Sequence, residues 1–205
     1  MYEKVLSAFI VNLGKYVEGE LVGKWVDFPT TEKELERTLQ EIRIDGIRYG
    51  EIMIADYDSG IDGLTDCLGE YESLSMLNCL AYKITEADCS IGQFEALLEL
   101  GLYTGSIEEL LTLLENTDCF MIYEDIEDDY DLGYYFIQEL GLIQELSATG
   151  SVLADYINFE AYGRDLRLEQ GGIYTSGNYY VYLICSPEAV SMEEIQEEYR
   201  LSMAA

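Results

Sequence analysis

The sequence predicts an α+β fold in three parts. These are an α/β domain over residues 1–70, a helical middle domain over 71–117, and a second α/β domain over 118–205 that ends in an acidic helical tail. Two observations carry this expectation. Short apolar runs of strand length, bounded by Gly-containing turns, occur near both ends of the chain. Between them lie stretches with apolar residues at helical spacing, opened by capping signals or closed by glycine.

The elements follow in order. Val5–Leu13 and Leu21–Phe28 read as strands, and the stretch from Gly14 to Glu20 between them suits a hairpin connection. Pro29-Thr30-Thr31 opens a helix, because Thr31 and Glu34 have the spacing of a capping box and Leu35, Leu39 and Ile42 share one face. Glu51–Ala55 reads as a third strand, ending in the turn-rich Asp56-Tyr57-Asp58-Ser59-Gly60. Ser73–Ile84, Ile91–Leu100 and Ser106–Leu114 are the middle helices. Gly101 stops the second, and Ser106 with Glu109 caps the third. Cys119–Tyr123 is a short strand, and Tyr130–Leu140 is a helix stopped by Gly141. A further helix lies within Val152–Leu166. Gly171–Ile184 forms a hairpin turning at Ser176-Gly177-Asn178, and Ser191–Tyr199 is a short acidic helix.

Charge is the outlying property. Asp and Glu number 41 against 11 Lys and Arg, a net charge of −30, or about one uncompensated negative charge per seven residues. A field of this strength repels nucleic acid and anionic membranes and attracts basic surfaces. Hydrophobic residues make up 49% and tyrosines number 18, so the acids decorate a folded body and not a disordered tail. Three uses compete: a solvated surface, a cation-binding surface, and imitation of the polyanion DNA.

Composition removes much chemistry. The chain contains no His, which takes away the usual proton shuttle, the Ser–His and Cys–His pairs and the commonest metal ligand. The five cysteines, Cys67, Cys79, Cys89, Cys119 and Cys185, form no C-x-x-C pair and read as reduced, mostly buried thiols. No Gly-rich phosphate cradle is present. The run Asp56–Gly63 invites a calcium reading, but neither register supplies both the glycine at the sixth position and the glutamate at the twelfth that an EF-hand loop needs. A hydrolase working with two carboxylates would need one pair set apart from some forty other acids, and nothing in the sequence does that. The expectation is therefore no catalysis and no cofactor. With no targeting segment and no apolar run of membrane-span length, the chain reads as soluble and cytoplasmic.

The acid distribution remains. Glu124, Asp125, Glu127, Asp128, Asp129 and Asp131 form the densest run, preceded by Glu108, Glu109, Glu115 and Asp118. Acids favour helix starts through the macrodipole, which accounts for part of this crowding. The functional account is that carboxylates replace phosphates, since duplex DNA carries one charge per ~1.7 Å of axis.

Two stretches add a resemblance. Asn12-Leu13-Gly14-Lys15-Tyr16-Val17-Glu18-Gly19-Glu20-Leu21-Val22-Gly23-Lys24-Trp25 and Ala161-Tyr162-Gly163-Arg164-Asp165-Leu166, with Ile54-Ala55-Asp56-Tyr57 between them, resemble the ArdA antirestriction proteins. The resemblance covers roughly residues 5–184. It implies an elongated chain of three small domains, a homodimer, and an acidic face like bent B-form DNA. It also implies binding to the specificity and methyltransferase subunits of a type I restriction–modification enzyme, blocking restriction and modification without catalysis. Read as residues, Gly14, Gly19 and Gly23 serve turn geometry or close backbone approach, Trp25 belongs to the core, and Arg164 pairs with a carboxylate, either a neighbour of Asp165 or one of the other subunit. The competing targets are a CRISPR nuclease, a repressor or a nucleoid protein. The competing class is a calcium-binding acidic protein.

Overall fold

The computed structural model describes residues 4–141, 143–144, 152 and 156–203. Its elements are helices and two small antiparallel sheets, an α+β fold. The chain divides into two compact units. The first comprises residues 1–90, 103–117 and 187–205, and the second comprises 91–102 and 118–186.

In the first unit, β1 (Leu6–Asn12) is the central strand, flanked by β2 (Gly23–Phe28) and β3 (Ile52–Ser59). Leu6 pairs with Phe28 and with Ser59, so both neighbours run antiparallel to β1. Leu6, Ala8, Ile10, Val26, Phe28 and Ile54 are buried on the inner face. The connection between β1 and β2 holds a short helix, α1 (Leu13–Val17), where a plain hairpin loop was expected. Asn12 explains it. Its side chain accepts from Lys15 N and donates to the carbonyls of Ile42 and Arg43, so one buried amide caps the helix and ties down the chain leaving the next one. That next helix is α2 (Glu32–Glu41), whose Thr31 cap accepts from Glu34 N as the capping spacing predicts.

Strand β3 runs four residues further than expected, through Asp56 and Asp58. A bulge at Ala55 shifts the register, so that Phe9 pairs with Asp56 and Ile10 with Ile54. The two aspartates look like turn residues in sequence because they lie on the sheet's outer, solvated face, where polar residues alternate with inward ones.

Helices α3 (Leu74–Glu86) and α5 (Ile107–Glu115) pack with the first unit, while α4 (Ile91–Leu100) packs on the second sheet. Ser106 caps α5, and Gly101 leaves α4 with φ 72°.

The second sheet places β6 (Tyr179–Leu183) between β4 (Phe120–Glu124) and the two-residue β5 (Ile173–Tyr174). Against one face lies the buried cluster Ile126, Leu132 and Tyr180, with Tyr123, Phe136 and Leu166 packed around it. Helix α6 (Asp129–Glu139) and helix α7 (Phe159–Gln170) supply the packing. The helix expected within Val152–Leu166 thus begins at Phe159, while residues 153–155 lie outside the described residues.

Helices α6 and α7 meet backbone to backbone. A Cβ on Gly163 would sit 1.8 Å from the Asp129 carbonyl oxygen, and one on Gly133 would sit 1.9 Å from that of Phe159. Helices with ordinary side chains stay 8–10 Å apart, so only paired glycines allow this crossing.

The final helix, α8 (Met192–Met203), returns to the first unit. Ile195 and Tyr199 are buried there, and the Tyr199 ring meets Tyr82 edge-on at 5.6 Å. Asn78 accepts from Thr30 N at 2.7 Å and donates to Thr30 O and to the Tyr199 hydroxyl, which itself donates to Thr30 O.

The expectation of five reduced thiols is corrected at two positions. Cys119 and Cys185 form a disulfide with Cα atoms 5.0 Å apart, while Cys67, Cys79 and Cys89 remain outside any disulfide. Antiparallel pairing brings the start of β4 beside the end of β6, where Ile184 N donates to Cys119 O. Linear spacing does not show that adjacency.

The glycine crossing sets the first expected outcome. Gly163→Ala should destabilise the second unit by about 3 kcal/mol, the upper end of the overpacking range, because backbone atoms cannot yield. Urea unfolding of the two proteins checks it, and equal midpoints would refute the crossing.

Candidate functional site

Most bases of this chain are occupied internally. Lys15 and Arg48 both bind Glu18 at 2.9 Å. Lys24 and Arg37 share Glu41 at 2.7 and 3.0 Å, and Lys4 holds Asp58 at 2.9 Å with Asp27 at 3.9 Å. Arg43 reaches Glu20, Lys83 binds Glu115 at 2.7 Å, and Arg167 binds Asp129 at 2.8 Å. Arg164 pairs with a carboxylate as expected, but with the adjacent Asp165 at 3.1 Å and not with one of its neighbours. Lys15 with its Tyr49 neighbour holds Glu18 at about 2, well below the usual carboxylate range. What remains on the surface is a surplus of carboxylates.

The surplus is uneven. Residues 1–48 carry seven bases against nine acids, and the rest of the chain carries four bases against 32 acids.

The acidic residues singled out in the sequence fall in both units. On α5, Glu108 and Glu109 occupy the exposed first turn, where the helix dipole favours them. Glu109 also accepts from Gly105 N at 2.8 Å, and Glu115 at the far end holds Lys83. In the second unit, Asp118 is exposed in a 3₁₀ turn before β4, and Glu124 at the end of β4 accepts from Gln93. Asp125 takes a left-handed conformation, φ 59°, that turns the chain toward α6. Glu127 and Asp128 are exposed. Asp128 caps α6 by accepting from Tyr130 N and Asp131 N, while Asp131 accepts from Glu127 N. These bonds fix the backbone that carries the charges.

Asp129 differs from the other residues of its run. It turns inward and accepts from Arg167 Nε and from the Tyr174 hydroxyl, each at 2.8 Å. The Arg167 guanidinium holds its carboxyl below the usual value, against the opposing effect of burial and with help from Tyr174. Beside this run, Tyr130 and Tyr134 stack with centroids 6.3 Å apart and meet Phe159 edge-on, leaving both tyrosines part-exposed.

Three further features were missed or misplaced in the sequence. Trp25, expected in the core, is 45% exposed. It lies on the outer face of the first sheet, because β2 alternates and Val26 and Phe28 take the inward positions. Asp27, Asp56 and Asp58 share that outer face, a placement legible only once the strand pairing is known. The Asp56–Gly63 run is strand and turn, and among the described residues no group of three or more His, Cys, Asp or Glu is arranged to hold a metal ion. Among the described residues no helix is long and apolar enough to cross a membrane.

The quoted motifs act as structure. Gly14 faces the Tyr49 ring and Gly23 faces Val11, each too closely for a Cβ. The stretch from Ala161 to Leu166 lies on α7 and carries the Gly163 crossing.

A family model described as "Antirestriction protein (ArdA)" matches residues 8–181. The search of curated proteins gave no match.

The inward turn of Asp129 has a measurable signature. Its folded pKa is depressed, so its contribution to stability is present above the ordinary aspartate value and is lost as pH falls through the lower folded value. Asp129→Asn should be less stable than the parent protein above about pH 4. The two stabilities should converge on acidification. Thermal melts across that pH range check it, and a constant gap down to low pH would refute the assignment.

Proposed function

The chain belongs to the ArdA antirestriction family, and from that membership we propose that it is a non-catalytic decoy for DNA. In this reading it occupies the DNA-binding groove formed by the specificity and methyltransferase subunits of a type I restriction–modification enzyme. It blocks both restriction and modification, and it acts in the cytoplasm as a homodimer.

One observation carries the reading. A net charge of −30 is displayed on a folded surface most of whose bases are held in internal ion pairs. A basic groove that binds duplex DNA gains free energy by releasing the counterions of the phosphates. Exposed carboxylates fixed on helix starts and turns offer the same groove the same exchange. Glu108, Glu109, Asp118, Glu124, Asp125, Glu127 and Asp128 are the exposed residues proposed to stand for phosphates. Glu115 and Asp129, held by Lys83 and Arg167, and the half-buried Asp131, which accepts from Glu127 N, shape the surface instead. Because no single carboxylate dominates, the binding energy is spread over many weak contacts.

Competition tests this. Added to a type I methyltransferase bound to labelled duplex DNA, the protein should displace the DNA near equimolar ratio, with the effect weakening steeply as salt rises. Glu127→Ala alone should weaken displacement less than about fivefold, since one exposed charge pair contributes at most about 1 kcal/mol. Changing all seven exposed residues to Gln or Asn should abolish it. An enzyme that stays on its DNA would point the surface at another DNA-binding protein, such as a CRISPR nuclease or a repressor.

A further inference from the structure

The outer face of the first sheet carries an arrangement that charge density does not explain. Two cross-strand rows lie side by side on it. Trp25, Phe9 and Asp56 make one row, and Asp27, Ser7 and Asp58 make the next, two residues along each strand and therefore on the same face. Phe9 and Trp25 meet at 5.4 Å with their planes tilted by 42°. A Cβ on Gly23 would lie 3.0 Å from the tip of the Phe9 ring and 2.6 Å from Val11, so the bare glycine lets the aromatic pair lie down on the edge strand. The result is a tilted aromatic pair with Trp25 45% exposed.

Carboxylates border it. Ser7 Oγ donates to Asp27 at 2.5 Å and fixes that side chain. Lys4 is shared between Asp58 and Asp27, one ammonium for two acids, and Asp56 stands exposed beside Phe9. Asp56 also lines a hollow of about 270 Å³ together with Ala55, Thr65 and Glu70. This face therefore carries net negative charge, with one lysine set against three aspartates.

We propose that this face is a docking platform for a basic protein segment, with an arginine or lysine side chain lying over the Trp25 ring and its charge met by Asp27, while further basic side chains of the segment meet Asp56 and Asp58 across the sheet. Charge complementarity selects the occupant. A cation over an indole face gains from the ring quadrupole, and the aspartates supply the hydrogen-bond acceptors that a guanidinium or ammonium needs. Acidic surface alone binds diffusely, whereas an exposed tryptophan beside a fixed carboxylate has the make-up of an interface hot spot. In the decoy reading, on which the identity of the partner rests, the segment belongs to the DNA-binding groove of the enzyme. The platform then gives the complex one anchored point amid many interchangeable charge contacts.

Trp25 is the sole tryptophan of the chain, so its fluorescence reports on this face alone. An octa-arginine peptide, which has no tryptophan, should shield Trp25 of the full-length protein from acrylamide quenching. Asp27→Asn/Asp56→Asn/Asp58→Asn should raise the peptide concentration required about tenfold. The control Glu193→Gln/Glu194→Gln/Glu197→Gln removes the same charge from exposed positions on α8 and should raise it far less. Equal shifts in the two triple variants, or no shielding, would overturn the platform. In the enzyme competition, Trp25→Ala should weaken displacement about tenfold, and Trp25→Phe, which keeps an aromatic partner for Phe9, should weaken it less. A Trp25→Ala protein that melts like the parent and displaces DNA equally well would also overturn the platform while leaving the decoy reading intact. If the parent protein fails to displace DNA while the peptide still shields Trp25 selectively, the decoy reading falls and the platform stands.

Discussion

Mutual repulsion among carboxylates acts on every part of this chain. Each added negative charge raises the free energy of the compact state relative to an expanded one, because folding brings like charges closer. The fold counters this without bringing in many bases. Most of the few lysines and arginines sit beside one or two acids, and Lys24 with Arg37 and Lys15 with Arg48 form small shared networks. Other carboxylates accept backbone hydrogen bonds at helix starts and turns, as Asp45 does from Ile47, Arg48 and Tyr49. Beneath these charges, the interior is aromatic and aliphatic. In the second unit Tyr180 is fully buried, and its hydroxyl donates to Gln170 at 2.8 Å. Burial pushes that phenol up to about 12, so it stays neutral and adds nothing to the repulsion.

Much of the architecture was legible because it is local. Helix α4 has the bounds its pattern gave, Thr31 and Ser106 cap the helices they precede, and Gly101 and Gly141 take positive φ where helices stop. The features that escaped depend on partners far along the chain. Asp56 and Asp58 read as a turn until β1 pairs with them. Trp25 reads as core until Val26 and Phe28 claim the inner face. Cys119 and Cys185 read as separate thiols until β4 and β6 align.

The candidate surface divides the same way. That acids dominate residues 108–131 is visible in the letters alone, because helix starts and turns are local signals. That Asp129 differs from Asp128 is not, since its partners lie 38 and 45 residues away. Adjacent carboxylates of the same type thus take opposite roles: one caps α6 in solvent while the other anchors α7 and β5.

The return of α8 to the first unit gives that unit a split address in the chain. Its sheet is made from the earliest residues, yet Thr30 and Asn78 meet their Tyr199 partner only after the whole intervening second unit has been synthesised. Contacts of such separation form late and slow the search for the native state. On the ribosome the second unit has all of its residues first, and the first unit waits with the α8-facing surface around Tyr82 uncovered until residues 192–203 emerge. A message cut short after the second unit would yield a protein whose acidic run is complete and whose first unit lacks its α8 covering.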